Sequence, residues 1–509
     1  MNQDRKPTGT RKITKPAKLW FSIAGIVAII LIVLSTLVFK SLDPGLNSNE
    51  KSIAVMPFTD MSPEKDQAYF ADGMAEEIIN ALTQIPGLKV SARTSAFQFR
   101  EQENDIQTIG AKLGVTTILT GSVRKSGNML RITAQLVNVA DGFHLWSETY
   151  DRQLTDVFVI QDDLSNSIVN ALQVKLSGDE VKTLDTRMPT SVEAYNLYLK
   201  GRYFWNKRTE EGLQKSIEFF QQAIDLEPAY ALAYAGLADA YDLLGVWQYL
   251  EPSDAFIKSK AAAQKALGID PTIAQAHVAL GDYKYRYDWD WPSAEIEFLR
   301  AIELNPNYAT AHQWYSEFLS VMERHTEARA EIQKALALEP LSLIINGISI
   351  RLHKWAGQYD EAIEQGIKTL AMDPHYLPTH FFLFQFYYEK KMYDKSFIHF
   401  IGYFSIHYGL TNAESETLET LYKNSGWEGV GRFMADKLEI ISKNKYVSPS
   451  EKSVFYVMMK DYSRALDYLE KGFQMRSPQM VHIGGISTFI DLRGEPRFQA
   501  LLKKIGLPQ

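Results

Sequence analysis

The chain has 509 residues, 46% of them hydrophobic and 12% aromatic, with a net charge of −7, so it is long and apolar enough for two or three domains rather than one core. It has no cysteine, which excludes disulfides, thiolate metal sites and cysteine nucleophiles together. Residues 1–18 carry six Lys/Arg against one Asp, leaving 48 basic and 60 acidic residues elsewhere, a balance unsuited to gripping a nucleic-acid backbone.

The basic tail 1–18 holds Arg5, Lys6, Arg11, Lys12, Lys15 and Lys18. Leu19–Phe39 then runs for 21 residues without a charge. As a helix rising about 1.5 Å per residue it spans about 30 Å, the depth of a bilayer core. Trp20 sits at one interface, and Asp43 and Glu50 follow the far end. The positive-inside rule leaves the tail in the cytoplasm and exports everything after Phe39, giving a single-pass inner-membrane protein with a periplasmic bulk. A cleaved signal peptide competes, but Val38-Phe39-Lys40-Ser41-Leu42 offers no small-x-small cleavage site. A buried soluble helix is the other alternative, and it would show a polar face that is not visible here. Residues 40–50, with Pro, Gly and Asn, read as a linker.

Residues 51–178 read as an α/β sandwich. The predicted order is a strand at Ser52–Phe58, a helix at Gln67–Ile85, a strand at Leu88–Ala92 and a helix at Ile106–Leu113 stopped by Gly114. Strands at Thr117–Arg124, Met129–Val139 and Phe143–Tyr150 follow, joined at Ser126-Gly127-Asn128 and Asp141-Gly142, before a helix from Val157 to Leu176. Leu130, Ile132, Ala134 and Leu136 alternate with Arg131, Thr133 and Gln135, which calls for one buried and one wetter sheet face.

The phrases Ile53-Ala54-Val55-Met56-Pro57-Phe58, Phe70-Ala71-Asp72-Gly73-Met74, Ser91-Ala92-Arg93-Thr94-Ser95, Leu119-Thr120-Gly121-Ser122-Val123-Arg124 and Leu145-Trp146-Ser147-Glu148 resemble the TolB-N-like, FlgO-like domain. In adenylate cyclase-type and CadC-like membrane regulators, that resemblance implies a cytoplasmic cyclase or winged-helix module ahead of the domain and tetratricopeptide repeats after it. Only 18 residues precede the apolar segment here, so neither module is expected. Polar clusters at strand ends are where α/β sheets bind ligands, and Arg93, Ser95 and Arg124 are the candidate residues for a small anionic or peptide ligand. The alternative is ordinary turn and strand chemistry at the same positions.

An array of paired helices is expected from 191 to 476, clearest between 195 and 374. Leu226-Glu227-Pro228, Ile269-Asp270-Pro271, Leu304-Asn305-Pro306, Leu338-Glu339-Pro340 and Met372-Asp373-Pro374 form a ladder whose prolines are 43, 35, 34 and 34 residues apart. A proline cannot sit inside a helix, so each phrase closes one and starts the turn to the next. Twelve, eight and five residues before three of these prolines stand Ser216, Phe220 and Ala223; Ala294, Phe298 and Ala301; and Ala328, Ile332 and Ala335. Small and bulky residues on one face let neighbouring helices interlock. Period, small positions and closing proline together resemble the tetratricopeptide repeat, an all-α solenoid. The interval from Gly281 to Ala294 is one residue too long, and the unit ending at Pro271 carries about nine extra residues around Trp247–Pro252.

Aromatics outside the repeat phase, Trp247, Tyr249, Trp289 and Trp291, are the candidate partner-binding residues, because stacking of repeats does not require them. After Pro374 the pattern fades into Leu377–Tyr408, Thr411–Asn424 with Trp427–Lys443, and Tyr446–Arg476. Residues 477–509 read as a capping segment with a helix in Asp491–Pro508. No phosphate loop, nucleophile elbow or His-Glu-x-x-His occurs, and the ten histidines show no metal spacing. The expectation is a non-enzyme without cofactor or metal. It binds other proteins or peptides through a repeat groove, and the lipid bilayer through one transmembrane helix, but no nucleic acid. The alternative reading is a small-ligand sensor whose α/β domain modulates docking on the repeats. Composition leaves the oligomeric state open.

Overall fold

The computed structural model describes residues 51–85, 87–100, 105–172 and 189–508. The basic tail 1–18, the apolar span 19–39 and the linker 40–50 lie outside the described residues, as does the predicted domain end at 173–178. Among the described residues no helix is long and apolar enough to cross a membrane.

The sheet domain runs β1 (Ser52–Val55), β2 (Thr59–Asp60), α1 (Ala68–Thr83), β3 (Lys89–Ser91), α2 (Arg93–Ala96), α3 (Ile106–Leu113), β4 (Thr117–Ser126), β5 (Met129–Asn138), β6 (His144–Gln153) and α4 (Val157–Ala171). The strand order is β3-β1-β4-β5-β6, with β1 parallel to both its neighbours and β4-β5-β6 antiparallel. Side chains alternate across β1. Ile53 and Val55 join the core under α1 and α4, while Ala54 and Met56 pack with Phe99, Ile109 and Leu113 on the opposite face. The expected wet and dry faces of β5 are present, with Leu130, Ile132, Ala134 and Leu136 fully buried. Asp105 caps α3 by accepting from the Thr108 N–H at 2.7 Å, and Gly114 ends it at φ +65°, a conformation only glycine takes without cost. The short α2 turn directly after β3 is an element that no periodicity in the sequence announces.

Six consecutive helix pairs follow: α5/α6 (Val192–Trp205, Glu210–Leu226), α7/α8 (Ala231–Val246, Pro252–Ile269), α9/α10 (Ala274–Tyr283, Trp291–Leu304), α11/α12 (Ala309–Val321, His325–Leu338), α13/α14 (Leu343–Trp355, Tyr359–Met372) and α15/α16 (Leu377–Glu389, Tyr393–His407). Each proline of the ladder stands in the turn between pairs, and the small and bulky positions before Pro228, Pro306 and Pro340 are all buried to 2% exposure or less. Their spacing works as a lock: a Cβ placed on Gly201 or on Gly236 would come within 2.5 Å of the Phe220 ring. The long interval after Gly281 is absorbed by a π-helical turn at Lys284–Asp288, which takes up the extra residue, and Trp289 then turns the chain at φ +59°. α17 (Asn412–Ile441) is interrupted at Gly426, whose φ of +57° and ψ of −147° are not helical, so it comprises the two helices expected there, joined at that glycine. A last pair, α18/α19 (Pro449–Met458, Tyr462–Gln474), precedes two 3-10 turns and α20 (Pro496–Ile505).

Three of the ten histidines keep the repeat phase. Six residues after three of the closing prolines, His277, His312 and His380 each donate a ring N–H to that proline's carbonyl, at 3.1, 2.9 and 2.9 Å. Asn346 does the same for Pro340 at 3.0 Å. The far side of each residue meets the second helix of the pair, at Glu297, Glu331, His399 and Gln365. Each staple satisfies a carbonyl that proline leaves without a helical partner. His312→Ala is expected to lower unfolding stability by about 2 kcal/mol, two hydrogen bonds lost at a buried site. The pair His312→Asn with Glu331→Gln copies Asn346 and Gln365 and should recover at least half in a urea titration.

Candidate functional site

Residues from Lys51 on form one compact unit, and the reason is chemical. Helix α1 of the sheet domain lies on α5, the first repeat helix, so close that a Cβ on Gly73 would come within 2.7 Å of Leu199. The hydrophobic core is continuous from Ile53 through Tyr195 and Leu199 to Tyr283. At this contact Glu76 of α1 is held from both domains. Arg202 of α5 donates to it at 2.9 and 2.6 Å, Asn206 donates at 3.0 Å, and Arg93 stands 3.1 Å away. Arg93 also reaches Asp72 at 3.5 Å, Arg100 pairs with Asp72, and Arg202 reaches Asp239 at 3.5 Å. Three carboxylates and three guanidiniums therefore balance, with only Arg100 open to water. Burial drives the Glu76 carboxyl up, but Arg202 and Arg93 outweigh it and hold the group below the usual carboxylate range. The α2 turn completes the lock. Ala92 donates its N–H to Leu338 O at 3.3 Å, Ser95 Oγ accepts from the Leu341 N–H at 3.1 Å, and Thr94 bonds Glu339.

Beside this lock lies a cavity of about 980 Å³. Its wall is built from the first helices of successive repeats, with Leu243, Trp314, Arg351 and Phe381 among the lining residues, and from Arg93, Thr94, Phe97 and Gln98 of the sheet domain. The C-terminal segment enters it as well, through Pro478, His482 and Ile486. That segment does more than cap the last repeat. Lys354 and Trp355 donate to Gly485 O at 2.9 and 3.2 Å, Trp291 donates to Ile505 O at 3.1 Å, and the Arg286 Nη1 meets His482 Nε2 at 3.0 Å. The array curls far enough for its end to bind its third pair.

The residues that stand out in the sequence as candidate ligand or partner contacts are dispersed. Arg93 lines the cavity but is paired with Asp72 and Glu76. Ser95 is fully buried, bonded to Leu341. Arg124 is exposed on β4, opposite Arg131, and does not line the cavity, so these three do not form one site. Trp289 is only 9% exposed, with its ring 5.0 Å from Phe473 and the Arg476 guanidinium 3.9 Å over it. Trp291 is committed to Ile505. The extra length around Trp289 and Trp291 is thus used within the chain, to seat its C-terminal segment. Trp247 and Tyr249, T-shaped at 6.2 Å, do face the cavity. Sequence reasoning passes over Asp72, Glu76 and Arg202. The available signal is an acidic pair, Glu76-Glu77, set between Met74 and Ile78 on an otherwise apolar helix. Among the described residues no group of three or more His, Asp or Glu is placed to hold a metal ion.

Residues 49–169 match the second domain of HilA/YgeH-like transcriptional regulators. The stretch that resembles the TolB-N-like, FlgO-like domain is therefore matched under another description. The chain is 36% identical over 231 residues to a Rhizobium meliloti (strain 1021) protein named "Putative adenylate cyclase 3", covering 45% of this chain and 39% of that protein. It is 23% identical over 329 residues to the transcriptional regulator HilA of Salmonella typhimurium (strain LT2), covering 64% of this chain and 57% of HilA. The chain thus spans less than two thirds of the length of these relatives. Solved structures similar to it include a thermophilic TPR protein of Thermus thermophilus, at TM-score 0.31 and 19% identity over 36% of this chain and 94% of that one. Another is YrrB, a TPR protein with an unusual peptide-binding site, at TM-score 0.26 and 19% identity over 37% of this chain and 91% of that one.

Proposed function

We propose that this chain is a membrane-anchored regulatory scaffold that binds another polypeptide along the concave face of its helical array. The observation that carries the reading is the aromatic wall formed by successive first helices, with Trp247 and Tyr249 at its margin and the sheet domain locked against it. Relatives named for a cyclase and for a transcriptional regulator each match over part of their length, which supports reading the shared part as a contact or input module rather than an output. The apolar segment 19–39 and the basic tail 1–18 support single-pass anchoring in the inner membrane, tail in the cytoplasm and the remainder in the periplasm. The finer description of residues 51–178 as a TolB-N-like domain of CadC-like regulators belongs to the same proposal.

Proximity labelling by the intact chain in its own membrane tests compartment and partner together. Trp247→Ala with Tyr249→Ala is expected to reduce labelling of a specific partner about tenfold, the usual cost of removing aromatic anchors. The exposed control Lys368→Ala should leave it unchanged. Labelling confined to cytoplasmic proteins would refute the placement, and labelling indifferent to Trp247 and Tyr249 would refute the surface.

A further inference from the structure

Two cations of the cavity wall, Arg208 and Lys207, make no ion pair among the described residues, and only Lys207 of the two is exposed. Arg93 is paired with Asp72 and Glu76, Arg286 with Asp282 and Glu317, Arg351 with Glu317, and Lys354 with Glu389. Arg208 lines the same cavity, and among the described residues its guanidinium makes no hydrogen bond or ion pair, Asp239 and Glu339 acting on it only at longer range. Its guanidinium carbon stands 3.6 Å from the centre of the Trp205 ring, and that of Arg202 stands 4.3 Å from the same ring. Two cations therefore share one indole, and only Arg202 has carboxylate partners, Glu76 and Asp239. Burial and the Arg202 charge act against the Arg208 cation more than Asp239 and Glu339 favour it, and its pKa is brought down to about 10. Lys207, the neighbouring cation, borders the same cavity but is exposed to solvent, with its ammonium over the Tyr203 and Phe204 rings.

A second observation points the same way. Buried polar atoms of both kinds are unpaired in this wall: the Trp205 indole N–H, the Arg351 Nε and the Gln385 amide nitrogen lack acceptors, and Gln248 Oε1 and Gln479 Oε1 lack donors. Trp205 is 8% exposed and Gln385 is 4% exposed. The unpaired guanidinium calls for an acceptor carrying negative charge, and the neutral donors and acceptors around it can bond the polar atoms of the same ligand. The remaining wall is apolar and aromatic, including Phe97, Trp314, Ile348 and Phe381. Segments 93–98 and 478–486 both reach into the groove, leaving a recess of about 980 Å³, within the volume range of small-molecule sites.

We propose that Arg208 is the anchor of a binding site for a small amphipathic organic anion, whose charged head pairs with the guanidinium and whose apolar body fills the aromatic recess. This site does not rest on the partner-binding reading, because it is tested on the chain alone. Fluorescence titration of the full chain with 1-anilinonaphthalene-8-sulfonate is compared with N-phenyl-1-naphthylamine, the same ring system without the sulfonate. Arg208→Asn is the informative variant, since Arg208 sits at φ +54° and asparagine tolerates that backbone. The anionic probe should lose affinity about tenfold or more in Arg208→Asn, as expected for a charge-assisted hydrogen bond, while the neutral probe is unchanged. Arg208→Lys should retain most of the anion's affinity, and Lys207→Gln all of it. Equal loss in Lys207→Gln, equal behaviour of the two probes, or full anion affinity in Arg208→Asn overturns the assignment. A circular-dichroism melt on each variant separates loss of the site from loss of the fold.

Discussion

Replacing Arg202 with Met is expected to destabilise the chain by about 3–5 kcal/mol, because it leaves Glu76 and Asp239 buried without their principal cation. The magnitude comes from the geometry rather than from counting ion pairs. Most surface pairs here, such as Lys215 with Glu211, are worth a fraction of a kcal/mol. Glu76, at 5% exposure, has no water to fall back on. Hydrogen exchange should show the loss concentrated in α1 and α5, the two helices that the ion pair joins. Glu76→Gln alone should cost less, since its amide oxygen can still accept from Arg202, although its NH2 then faces the Asn206 and Arg93 donors. In a double-mutant cycle the two changes should fall short of additivity by about 1 kcal/mol or more, the mark of direct coupling. A single-variant cost below about 1 kcal/mol, with exchange in α1 unaltered, would mean that apolar packing alone holds the sheet domain on the array.

The periodic parts of this architecture are legible in the sequence, and the closing contacts are not. Prolines, small positions and the alternation in β5 are consequences of local geometry, so they leave a period in the sequence. The turns within each pair do not. Arg208, Glu323, Lys391 and Lys460 all occupy left-handed turns at φ of +54° to +58°, where glycine would have announced the bend, as Gly357 and Gly426 do. Contacts between distant segments leave still less trace. Trp289 and Trp291 stand outside the repeat phase and are spare to the stacking, yet they meet Phe473 and Ile505 within the same chain. Arg93 and Ser95 read as a polar cluster beside a strand end, and they serve the seam between the domains. A residue's phase shows that it is spare, while its partner is fixed only by how far the array curls.

Glu77 carries the second large effect, and it runs opposite to ordinary acid denaturation. The carboxyl is 7% exposed; burial pushes its pKa up, and the Glu76 charge adds to this, to about 7 from an ordinary 4.5, against weaker help from Arg202, Asn80 and Tyr198. The folded chain therefore keeps a proton on Glu77 that the unfolded chain has already released. Stability from this group is complete below about pH 4.5, falls as pH rises, and is fully lost above about pH 7, a swing of roughly 3 kcal/mol. Asp239, pushed up to about 6 chiefly by burial despite Arg202, tilts the curve in the same direction. Glu76, held low, tilts it the other way below its ordinary range. Glu77→Gln fixes the neutral form in a side chain of the same shape. It should therefore be more stable than the parent by about 2 kcal/mol at pH 8, with the advantage shrinking toward zero near pH 5. Urea unfolding of both proteins at pH 5, 6.5 and 8 measures this directly. A pH-independent difference between them would show that Glu77 is ionised in the folded chain throughout, with Arg202 and Tyr198 sufficient to hold its charge at the seam.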